Sequence, residues 1–146
     1  MALKRKEYWD TRAYHEFLLS RAKTPFVWGQ HDCALFAADG VEAITGVDIA
    51  ADFRGKYRDE ASAMALIREL TGGVTVADAA AYCAEKSALK EWAKPLFAQR
   101  GDLVVARQGS GVVAGLVHLN GHVVAAGESG LMVMPITTVV RSWHIG

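Results

Sequence analysis

The chain has 146 residues, 51% of them hydrophobic and 22% charged, which is the composition of one globular unit with a core of its own. Its 16 Lys and Arg balance 16 Asp and Glu, so no basic surplus is available to neutralise nucleic-acid phosphates. No apolar run reaches the roughly 20 residues that a bilayer-spanning helix needs, and no transmembrane segment is expected.

Residues 1–146 are read as a single domain. The opening stretch Met1-Ala2-Leu3-Lys4-Arg5-Lys6-Glu7 is followed by Tyr8-Trp9-Asp10, where an export signal would be apolar, so no such signal is read. The two cysteines, Cys33 and Cys83, are too few for a disulfide framework and are expected as reduced thiols.

Along residues 10–23, Tyr14, Phe17, Leu18 and Ala22 recur at helical spacing behind Asp10 or Thr11 as a cap, and Pro25 closes the pattern. After an irregular aromatic stretch, Pro25-Phe26-Val27-Trp28-Gly29-Gln30-His31, a second helix is predicted over 32–45. Its stripe is Cys33, Phe36, Ala37, Gly40, Val41 and Ile44, and Gly46 is its C-cap. A polar link containing Phe53-Arg54-Gly55-Lys56-Tyr57 leads to a third helix over 59–70, stopped by Gly72-Gly73, and an Ala-rich fourth follows over 76–85.

Past Pro95 the apolar residues become β-branched and Gly frequent, which marks strands around 103–105, 112–113, 115–119, 122–126, 131–134 and 139–145. Asn120-Gly121 favours a two-residue type I′ hairpin. Helices first and an antiparallel sheet afterwards define an α+β chain.

Cys33 stands at the predicted first turn of a helix, behind Asp32 as its cap. Free backbone N–H groups there favour a thiolate and would face an oxyanion. The same spacing also puts Cys33 on the apolar stripe, where a packed thiol is the ordinary occupant. Cys83, inside the Ala-rich helix, reads as core. A thiol nucleophile needs an imidazole, and the chain offers His15, His31, His118, His122 and His144. None of these is placed by spacing alone. Neither cysteine has a ligand partner at zinc spacing, and Gly109-Ser110-Gly111 and Gly127-Glu128-Ser129-Gly130 precede no helix, so no metal or other cofactor is expected.

The segment Trp28-Gly29-Gln30-His31-Asp32-Cys33 resembles the nucleophile motif of the NlpC-type branch of papain-like cysteine peptidases, and Gly101-Asp102-Leu103-Val104-Val105 resembles the strand that opens that family's sheet. More narrowly, three features are similar to a family of small phage and prophage tail-tip proteins. They are W-G-x-x-D-C-x-x-F-x-A-D from Trp28 to Asp39, F-R-G-x-Y from Phe53 to Tyr57, and the A-x-G-x-x-G-L run ending at Leu131, with Trp143 following late.

The resemblance implies a papain-like fold, Cys33 as nucleophile, Asp32 as helix cap or orienter, and Trp28 and Gly29 lining a substrate groove. Laid through Gly115, Asn120 and Gly121, it puts Val113 where active members carry the base and Ala125 at the third polar position. His31 and His122 remain as substitute bases, and across a two-residue turn Val113 would lie opposite Glu128. Two functions follow. One is a structural tail-tip component with an incomplete site, partnered by other tail-tip or hub proteins and located in the virion after cytoplasmic assembly. The other is a working cysteine hydrolase that cuts peptidoglycan stem peptides during entry. A tail component needs a contact surface, for which Phe26, Trp143 and residues 131–134 are the candidates.

Overall fold

A computed structural model describes residues 3–146; Met1 and Ala2, which begin the stretch read for an export signal, lie outside the described residues. Four helices come first: α1 (Tyr14–Arg21), α2 (Cys33–Thr45), α3 (Glu60–Thr71) and α4 (Val76–Lys86). Six strands follow: β1 (Lys90–Glu91), β2 (Leu103–Gln108), β3 (Gly111–Val117), β4 (His122–Gly127), β5 (Gly130–Pro135) and β6 (Val139–His144). They form one antiparallel sheet in the order β1-β6-β2-β3-β4-β5.

Local chemistry sets the helix ends. Asp32, Asp59 and Thr75 each accept a backbone N–H at an N-terminus, and α2 and α3 stop at Gly46 and Gly72, which take left-handed φ of 83° and 76°. Both faces of the sheet are covered. Leu103, Val105, Ala114, Leu116, Val124 and Ala126 pack toward the helices, while Val104, Ala106, Val117, Val123 and Ala125 pack with Met134 and Val139 on the other side. Strands buried on both faces read as continuous apolar runs, which is why β2 carries Leu103-Val104-Val105-Ala106 without alternation.

Helix α2 lies across β3 and β4, and Gly40 brings it close, since a Cβ there would overlap the Leu116 side chain. Asp102, fully buried just before β2, accepts from Trp92 Nε1 at 2.8 Å, from the Gln99 N–H at 2.8 Å and from the Ile145 N–H at 2.9 Å. Its carboxylate also lies 3.4 Å from Arg5 Nη2, so one buried group ties both ends of the chain to the sheet.

Three expectations need correction. The first helix is not continuous from residue 10. A π-helical turn, Trp9–Ala13, enters through Tyr8 at φ 58°, and Asp10 bonds only the neighbouring Thr11 N–H. The wide turn seats Trp9 beneath Gly101, where a Cβ would lie 2.7 Å from the indole, so tertiary contact overrides the cap signal.

At the hairpin, Asn120 and Gly121 both take positive φ and the His122 N–H reaches the Leu119 carbonyl, as a type I′ turn requires. The His118 N–H, however, bonds the His122 carbonyl at 2.8 Å, leaving Leu119 bulged out and the register one residue out of step. Strand pairing runs Leu116↔Val124 and Val117↔Val123, so Val113 is not placed opposite Glu128. Trp143 is only 3% exposed, packed against the helices, and offers no contact surface; in β5 it is Val133, 59% exposed, that faces solvent.

Candidate functional site

Cys33 is the first residue of α2 and Asp32 its cap. The Asp32 carboxylate is 1% exposed and organises everything around it. Oδ1 accepts the Leu35 N–H at 2.9 Å, Oδ2 accepts the Gly29 N–H at 3.0 Å, and Oδ2 also accepts the Tyr57 hydroxyl at 2.5 Å. One side chain thus starts the helix, holds the Trp28-Gly29 turn and docks the link between α2 and α3. Gly29 sits at φ 80° against the Tyr57 carbonyl, a place with no room for a side chain.

Cys33 is partly exposed, and it borders a cleft of about 840 Å³ whose walls include Trp28, Tyr57, Met64, Glu128 and Leu131. Phe26 braces Trp28 edge-on, with ring centroids 5.0 Å apart. Burial pushes the Cys33 thiol up to about 11, the Ala114 backbone N–H opposes this, and the nearby Asp32 charge adds to it. The expected thiolate is therefore not favoured. Desolvation by the walls outweighs the helix terminus, whose field is worth about 1 kcal/mol.

The imidazoles stand elsewhere. His31 is 5% exposed, its ring edge-on to Phe36 at 5.8 Å, and its Nδ1 lies 3.2 Å from Arg21 Nη1. Because Arg can only donate, Nδ1 accepts and Nε2 carries the proton, buried and without a partner among the described residues. Neither nitrogen hydrogen-bonds Cys33. His122 is exposed at the hairpin, paired with Pro135 on β5. Val113 and Ala125 pack on the sheet face away from α2, so the positions of β3 that look toward Cys33 are Val112 and Ala114. Neither can take a proton.

Sequence reasoning missed the support beneath the site. Arg21 bonds Asp39 at 2.9 Å, Arg54 bonds Asp39 at 2.6 Å, and Arg54 also bonds Asp48 at 2.9 Å, an ion-pair chain that fixes α1, α2 and the Phe53–Tyr57 link together. The available signal was the F-R-G-x-Y run. Phe53 anchors it in the core, Arg54 supplies the charge, and Tyr57 reaches Asp32.

A helix bearing cysteine at its N-terminus, laid on an antiparallel sheet, defines the papain-like NlpC/p60 fold. The chain is similar to the crystal structure of the NlpC/p60 domain of peptidoglycan hydrolase SagA, with 16% sequence identity and a TM-score of 0.54, covering 91% of this chain and 97% of that one. Residues 4–145 match the family described as domain of unknown function DUF6950, and the chain belongs to that family. No curated protein matches it.

Proposed function

We propose that this chain is a structural and binding component of a bacteriophage tail tip, which keeps the NlpC/p60 fold and its cleft but lacks the base of a cysteine hydrolase. The observation that carries this reading is the environment of Cys33. Among the described residues no imidazole hydrogen-bonds its sulfur, and Val112 and Ala114 fill the facing strand. A thiol held protonated and without a proton acceptor is a poor nucleophile. The likeness of the Trp28–Asp39 segment to tail-tip proteins supplies the setting: contacts with other tail-tip or hub proteins, and with peptidoglycan in the cleft. On this reading residues 1–146 act as one domain, with Trp28 and Gly29 lining the cleft and Asp32 as its organiser.

The test has two parts. Purified protein incubated with peptidoglycan sacculi should release no more stem-peptide fragments than the Cys33→Ala variant, and mass spectrometry should find the chain in purified phage particles. Cys33-dependent release, or absence from particles, overturns the reading.

The second reading, a hydrolase cutting peptidoglycan stem peptides, is favoured by one observation. The backbone N–H groups of Ala34 and Ala114 act on the thiol in the direction of its charged form, against the effect of burial. It requires His31 or His122 to swing toward Cys33 on substrate binding, and the same release assay decides between the two.

A further inference from the structure

Arg100, just before β2, has no carboxylate partner among the described residues, and its Nε is shut from solvent with nothing to bond. Its guanidinium lies 5.5 Å from the Tyr14 ring centroid and 6.0 Å from that of Trp9. His118, edge-on to the same Tyr14 ring at 6.2 Å, also has a buried nitrogen, Nδ1, without a partner. Across the hairpin the His118 backbone N–H bonds the His122 carbonyl, and His15 follows Tyr14 on α1.

The groups facing His118 are thus Arg100 from the segment before β2, His122 from β4, and His15 and Tyr14 from α1. Tyr14 gives its hydroxyl to the Val117 carbonyl and brings no charge. Burial, and then the charges of Arg100, His122 and His15, hold the His118 imidazole below its ordinary range. Arg100 is thus a cation without a salt bridge among the described residues, beside an imidazole whose Nδ1 is also without a partner. A guanidinium can only donate, so the partner that Arg100 lacks is an acceptor, and an anion suits it.

We propose that Arg100, His118 and His122 form a binding site for a phosphoryl group at the hairpin end of the sheet, away from the Cys33 cleft. A guanidinium fork beside imidazole donors suits tetrahedral oxyanions. The site is independent of any activity at Cys33. An anion favours the protonated imidazoles, so binding tightens as pH falls from 8 to 6.

The experiment is an NMR titration of the full chain, following the histidine ring resonances at constant ionic strength. Inorganic phosphate should move His118 and His122 saturably, where chloride does not, and should raise the pH midpoint of His118. Sulfate, whose charge is constant over this range, should bind more tightly at pH 6 than at pH 8. Dimethyl phosphate binding like phosphate identifies a phosphodiester as the natural group, and its failure beside phosphate identifies a free or terminal phosphate.

Arg100→Gln should weaken phosphate at least about tenfold. Arg107→Gln, the same charge loss at the far end of β2, should change nothing. If Arg100→Gln does not fold, His118→Gln read through His122 serves in its place. Shifts no larger than those with chloride, or equal losses in the Arg100 and Arg107 variants, overturn the site.

Discussion

Replacing Asp32 by Ala removes three hydrogen bonds at once, to the N–H groups of Leu35 and Gly29 and to the Tyr57 hydroxyl. Loss of the helix cap costs about 1 kcal/mol. The Gly29 N–H and the Tyr57 hydroxyl, left without their acceptor in a half-buried site, add about 1 to 3 kcal/mol each, so the sum is about 3 to 7 kcal/mol. In a chain of this length that lowers Tm by on the order of 10 °C. Asp59→Ala is the control, because Asp59 caps α3 with the same geometry at an exposed site where water replaces the lost acceptor. Urea unfolding followed by circular dichroism should put the Asp32 variant well below the Asp59 variant, with Asp32→Asn between them because one amide oxygen still accepts. If the Asp32 and Asp59 variants unfold at the same urea concentration, the cap is all that Asp32 provides, and its role as organiser of the Gly29 turn and Tyr57 is refuted.

With its thiol near 11, Cys33 is ionised in only about one molecule in ten thousand at neutral pH, and iodoacetamide labelling should be slow and keep accelerating past pH 9; a plateau near pH 7 would show an activated thiol. Both thiols are raised by burial, Cys33 to about 11 and Cys83 to about 12, so the stability they confer is complete below the unfolded value of 9.0. Raising pH from there toward 11 should lower the urea midpoint, and Cys83→Ala should flatten that fall. Gly40→Ala forces a methyl group onto Leu116 and should cost about 1 to 3 kcal/mol, with partial recovery in a Leu116→Val background. Asp102→Asn weakens the buried acceptor shared by Trp92, Gln99 and Ile145, and should quicken amide exchange at Ile145 before global unfolding.

What the sequence alone determined is what short-range chemistry controls. Asp32, Asp59 and Thr75 with Gly46 and Gly72 mark helix ends because caps are satisfied within one turn, and the change to β-branched residues after Pro95 marks the sheet. From these came the α+β class, the position of Cys33 at a helix start and the left-handed Asn120-Gly121 turn. Side-chain directions were decided only in the tertiary structure. The bulge at Leu119 shifts the register, and with a period of two a one-residue shift exchanges the faces of everything beyond it. On β3 it is the register with β2, Val105↔Ala114 and Arg107↔Val112, that turns Val112 and Ala114 rather than Val113 toward Cys33. His31, two residues from that cysteine, is drawn instead to Arg21 because the Arg21–Asp39–Arg54 chain assembles from three separated segments. The thiol's protonation follows from the cleft walls, which come from helices, strands and link together, and desolvation depends on what encloses a group rather than on its neighbours in sequence.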